Sequence, residues 1–123
     1  MGHTQIIPQM RKIDQELINA IKGNDYTFGK GNRLVDRDQY GQMIIRFHGH
    51  PIAGFTASSG LWIDNCGYWT NTTKQILNEL LSEFCNAFLY QEKGDWFVTK
   101  RYIDPQEGDT EEYIGEKMYV ELV

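Results

Sequence analysis

The stretch Trp69-Thr70-Asn71-Thr72-Thr73-Lys74 places hydroxyls, backbone N–H groups and a lysine just ahead of an apolar-periodic segment. Donors of that kind gathered at a helix N-terminus are the chemistry of an anion site, for a phosphate or a nucleotide. Two readings compete. In one, Thr72 caps the helix in an S/T-x-x-Q relation with Gln75, and Trp69 anchors the entry turn. In the other, Trp69, Thr70, Thr72, Thr73 and Lys74 hold a ligand together with Arg46 and His48. A glycine-rich phosphate loop is not part of this segment, so nucleotide hydrolysis is not expected.

His48-Gly49-His50 is the second candidate. Two histidines two apart on a strand share a face and could share a metal, with Cys66 or Asp64 completing the set. Gly49 and Pro51 argue instead for a turn, and the ligand set is incomplete, so no metal and no cofactor is expected. Cys66 could act as a nucleophile beside His48, whereas Cys85 at the end of an apolar stripe reads as core.

Asp104, Glu107, Asp109, Glu111, Glu112 and Glu116 make the segment 104–116 acidic. Their spacing does not fit an EF-hand loop. The expectation is an exposed loop, with Asp104, Glu107, Asp109, Glu111 and Glu112 as a surface for a protein partner, as a mimic of a phosphate row. Aromatic residues near Arg46, Lys100 and Arg101 could stack single-stranded bases. At strand spacing, the same residues build a core.

The elements that must position these groups follow from periodicity. Met10, Ile13, Leu17 and Ile21 recur at helical spacing, which predicts an amphipathic helix over 10–23, with Pro8 in its first turn and Gly23 as its stop. From 26 to 64 the period becomes two, as in Met43, Ile45 and Phe47, and glycines punctuate it, which predicts a strand meander. A second helix is predicted over 72–85 on the stripe Ile76, Leu77, Leu80, Leu81 and Phe84. A hairpin around Glu92-Lys93-Gly94-Asp95 is predicted over 87–102, and a last strand over 118–123. The order predicts an α+β fold: one antiparallel sheet of five to six strands with two helices on one face, in a single domain.

The 123 residues carry a net charge of −5, which opposes general affinity for nucleic acid. No apolar run reaches the roughly 20 residues of a membrane span, and Met1 to Gln5 carry no secretory signal, so the expected setting is the cytoplasm with Cys66 and Cys85 reduced. A one-sided sheet leaves a second face, and Trp62, Tyr90 or Phe97 on it would suit a homodimer.

The runs Gly31-Asn32-Arg33-Leu34-Val35, Arg46 to Ala53, Cys66 to Lys74 with Leu77-Asn78, and Gln91 to Val98 together carry a pattern. It resembles a widespread group of small bacteriophage proteins that share an LHG-x-x-IA strand pair, then GW-x-T-x-TTK-x-x-LN, then G-x-WY. The likeness spans Gly31 to Val98, with Phe47 in place of the usual leucine and Tyr68 inserted before Trp69. The resemblance implies a phage origin and brings no reaction with it.

These readings lead to a non-enzymatic phage accessory protein that binds a host component, either a protein or a nucleotide-type anionic ligand, and so serves counter-defence. A single-stranded nucleic-acid-binding module is the alternative. A zinc hydrolase built on His48, His50 and Cys66 is a third reading.

Overall fold

The computed structural model describes residues 10–100 and 109–123. Helix α1 is Lys12–Lys22 and buries Leu17, Ile18, Ala20 and Ile21, close to the predicted stripe. It also buries Asp14, which the sequence pattern assigns to the polar side. Pro8 lies outside the described residues.

Strands β1 (Gly29–Lys30), β2 (Arg33–Arg37), β3 (Met43–Phe47), β4 (His50–Phe55) and β5 (Gly60–Ile63) form the predicted antiparallel meander. Helix α2 (Asn71–Phe84) follows, then β6 (Ala87–Glu92), β7 (Asp95–Lys100), β8 (Thr110–Tyr113) and β9 (Met118–Glu121). The chain is α+β, as its pattern predicts. Its strands divide between two sheets where one was expected: β1-β2-β3-β4-β5-β9 and β6-β7-β8. The predicted hairpin pairs with β8 and not with the meander, because β9 occupies the free edge of β5.

Two rows across the larger sheet show how its faces are used. Val35, Ile45, Ala53, Ile63 and Met118 sit side by side on successive strands, all buried. This inner row shares one core with Leu17, Ile18 and Ile21 of α1, with Ile76, Leu77, Leu80 and Leu81 of α2, and with Leu89, Trp96 and Val98 of the smaller sheet. The neighbouring row on the outer face is Asp36, Ile44, Gly54, Trp62 and Tyr119. Here the Trp62 indole lies flat over Gly54, so close that a Cβ on Gly54 would stand 2.5 Å from the ring. Lys117 Nζ stands over the indole, 4.2 Å from its centre. Trp62 thus covers the outer face at Gly54, while Tyr119 beside it stays exposed. Tyr90 and Phe97 lie elsewhere, stacked at 5.4 Å on the outer face of the smaller sheet beside Phe88.

The turn chemistry agrees with the sequence. Lys93 (φ 53°) and Gly94 (φ 87°) connect β6 to β7 as a primed two-residue hairpin. His48 (φ 51°) and Gly49 (φ 81°) connect β3 to β4 in the same way, so the two histidines are not strand neighbours on one face.

The segment predicted as an acidic loop over 104–116 contains β8. Thr110 to Tyr113 pair with Trp96 to Thr99, and only Tyr113 of the four is buried. One buried side chain in four residues leaves no alternation to detect, and pairing with β7 makes the strand.

Candidate functional site

A cavity of about 430 Å³ opens where the β3–β4 turn meets the start of α2. It is lined by Phe47, His48, His50, Ile52, Tyr68, Thr70, Thr72 and Thr73. Three local features build it. The His48–Gly49 turn projects both histidines at its rim. A bulge in β4 adds Ile52 opposite the step from Ile45 to Arg46 and helps bury both Ile52 and Ala53. Cys66 (φ 53°) and Gly67 (φ 82°) then make a tight turn, closed by Tyr68 N–H donating to the Asn65 carbonyl at 2.8 Å, which returns the chain toward β4.

Tyr68 Oη stands 3.1 Å from His50 Nε2, and the two rings pack at 4.9 Å. They form one wall. The first turn of α2 and its cap supply Thr70, Thr72 and Thr73 to the lining. Thr70 is its N-cap, with extended backbone, and its Oγ1 accepts from Thr73 N–H at 3.2 Å while donating to Thr73 Oγ1 at 2.9 Å. The cap is therefore Thr70-x-x-Thr73 and not Thr72 with Gln75. Thr72 and Gln75 are already helical, and Gln75 Nε2 donates to Glu79 Oε1 at 3.3 Å. Capping uses the Thr73 N–H, and Lys74 N–H donates to the Thr70 carbonyl at 3.0 Å. The N–H groups of Asn71 and Thr72 have no acceptor within the helix. Replacing Thr70 by Ala is expected to cost about 1 kcal/mol, and Thr72 by Ala less than half of that, as read by urea denaturation. Equal losses would restore Thr72 as the cap.

Five of the expected ligand residues stand in or beside this space. Thr70, Thr72, Thr73 and His48 line it, and Trp69 adjoins it only in the chain, between Tyr68 and Thr70. The Trp69 ring packs edge-on against Trp96 at 4.9 Å and against Tyr113 at 5.8 Å, yet stays 49% exposed. The two expected cations are engaged elsewhere. Arg46 Nε donates to Asp36 Oδ2 at 3.1 Å, and its guanidinium also donates to the Gly49 carbonyl. Lys74 Nζ donates to Gln91 Oε1 at 2.7 Å. The lining contains no Lys or Arg. The sequence pattern missed His50, Tyr68, Phe47 and Ile52 as one lining group. His50 and Tyr68 are 18 positions apart, and the bulge has no signature in composition.

Cys66 donates its S–H to the Pro51 carbonyl at 3.4 Å, and burial, with the Asp64 carboxylate adding to it, pushes its thiol pKa up. That is opposite to what a nucleophilic thiol needs. Cys85 is fully buried and its thiol is pushed up to about 11, as for a packing residue. No cluster of three or more His, Cys, Asp or Glu side chains suited to a metal occurs among the described residues. Asp109, Glu111 and Glu112 border or lie on β8, whereas Asp104 and Glu107 fall outside the described residues. No helix among the described residues is long and apolar enough to cross a membrane.

The chain matches the Kyanoviridae Gp96 protein family over residues 10–119, which takes in both helices, every strand of the smaller sheet and the whole cavity. The chain belongs to this family of phage proteins. Membership in the Kyanoviridae Gp96 family extends the match well beyond the Gly31 to Val98 pattern, to α1 and to the start of β9. No curated protein and no solved structure matches the chain.

Proposed function

We propose that this phage accessory protein is a binding protein whose ligand is a small nucleotide-type molecule, held in the cavity between the His48–Gly49 turn and the start of α2. The observation that carries this reading is the cavity's combination of size and lining. Its roughly 430 Å³ lies within the range of small-molecule sites, and aromatic and aliphatic walls meet a few convergent polar groups. Phe47, Ile52 and Tyr68 suit a planar ring. Thr70, Thr72 and the first-turn N–H groups suit an acceptor-rich edge or a single phosphate. The absence of Lys and Arg from the lining favours a neutral or singly phosphorylated ligand over a polyphosphate. Capture of such a molecule from the host, without chemistry, fits the incomplete catalytic groups and the raised Cys66 thiol pKa.

The test is calorimetric titration of the full chain with nucleosides, nucleoside monophosphates and cyclic nucleotides. Micromolar binding is expected, weakened about tenfold or more by Tyr68→Ala or His50→Ala, the effect of losing roughly one stacking or hydrogen-bonding partner. No heat and no protection at millimolar ligand would sink the proposal. Binding confined to oligonucleotides, and falling steeply with salt, would move the reading to the Phe88, Tyr90 and Phe97 strip.

A further inference from the structure

Asp14 is the polar residue that α1 turns inward, and it is 1% exposed. Its Oδ1 accepts from Arg33 Nε of β2 at 2.5 Å. Its Oδ2 lies 3.3 Å from Arg11 Nε but has no hydrogen-bonded donor. Across the seam, α2 presents Glu79. Its Oε1 accepts from Gln75, while its Oε2 is buried with no donor. Asp14 is the neighbouring group that, next after burial, raises the Glu79 carboxyl, which places the two carboxyl groups side by side across the seam. Two orphaned acceptors on adjacent helices therefore face one another, and two ionised carboxylates cannot bond to each other. A single proton between them satisfies both oxygens at once.

We infer that Asp14 and Glu79 share one proton, and that this O–H···O bond latches α1 to α2 and is lost when the proton leaves to solvent. The groups facing the pair are Arg11 on the α1 side, Arg33 on β2 and Gln75 on α2. The neighbouring charges are already matched: Glu16 pairs with Lys30, and Glu83 with Lys22. The guanidiniums of Arg33 and Arg11 both pair with Asp14, whereas no cation among the described residues pairs with Glu79, so the proton is placed on Glu79. Burial in the seam, and then the Asp14 carboxylate, push Glu79 up to about 8.

The direction of the pH effect follows. Between the ordinary carboxylate value of 4.5 and about 8, the folded chain holds a proton at Glu79 that the unfolded chain has released. Stability therefore falls as pH rises through that window. Glu16, Asp25 and Asp36 are held below their ordinary values, so their contributions change at lower pH. Cys85 and Tyr113, pushed up to about 11 and 12, change at higher pH.

The experiment is urea denaturation of the full chain at steps from pH 5 to pH 9. The unfolding equilibrium constant is expected to rise at least about tenfold between pH 5 and pH 8 in the native chain. In Glu79→Gln, whose amide still donates to Asp14 but does not titrate, that rise is expected to disappear. A variant that keeps the native slope would overturn the inference. Should Glu79→Gln fail to fold, the carboxyl ¹³C shift of Glu79 in the native chain decides: a midpoint well above 6 supports the shared proton, and one near 4.5 removes it.

Discussion

Replacement of Arg33 by Met is expected to destabilise the protein by about 3–5 kcal/mol, the range for removing one partner of a buried ion pair. Arg33 is 6% exposed, and three interactions depend on it. Its Nε binds Asp14, its terminal nitrogen donates to the Gly31 carbonyl at 2.8 Å, and its guanidinium stands 5.3 Å from the Phe47 ring centre. Without it, Asp14 keeps Arg11 as its one cation, which is 43% exposed at the side chain and correspondingly screened. The double variant Asp14→Leu with Arg33→Met removes the stranded charge and is expected to recover most of the loss, because an apolar pair of similar volume replaces a buried ion pair at little cost. Urea denaturation of the two variants checks this. A loss under about 1 kcal/mol in the single variant would show that water reaches the pair.

Replacement of Trp96 by Ala is expected to cost a comparable amount, about 3–5 kcal/mol. Trp96 is a fully buried side chain at 1% exposure, and its ring contacts Trp69 at 4.9 Å and Tyr113 at 6.0 Å. Its effect reaches beyond the core. Trp69 immediately precedes the Thr70 cap, and Tyr113 Oη accepts from Asn65 N–H at 2.7 Å just ahead of the Cys66–Gly67 turn. Trp96 thus supports, through these two rings, the connection from β5 to α2 that forms one side of the cavity. Loss of near-ultraviolet dichroism from Trp69, together with loss of ligand affinity, is expected alongside the fall in stability. Trp69→Ala, which truncates a half-exposed ring, should cost less stability while still weakening binding. A Trp96→Ala chain with native affinity would mean that the cavity wall does not depend on this cluster.

Parts of this arrangement are legible in the sequence. The stripe from Ile76 to Leu81 repeats at helical spacing and becomes the buried face of α2. Gly49 marks a turn at the histidines, because only backbone that tolerates positive φ makes a two-residue hairpin easily, whereas Pro51 lies in β4 opposite Arg46. Other parts depend on encounters between distant residues. Asp14 reads as a solvated charge until Arg33, 19 positions away, arrives to neutralise it. Arg46 and Lys74 read as free cations until Asp36 and Gln91 engage them. The helix start shifts from Thr72 to Thr70 because both threonines are competent caps, and the backbone leaving Trp69 is extended only as far as Thr70. Tyr68 proves to be the residue that reaches His50, 18 positions away.

Strand β9 has a consequence for the order in which the molecule assembles. It pairs with β5, with Ile63 opposite Met118, and everything from α2 to β8 lies in the loop between them. Closing so long a loop before its contents are compact is entropically expensive, and non-local pairings of this kind slow folding. The meander from β1 to β5 is held by short-range hairpins and is free to form early. The outer strand is therefore expected to join after α2 and the smaller sheet have condensed and shortened the gap. That final pairing is expected to couple the unfolding of the meander to that of the parts enclosed between β5 and β9.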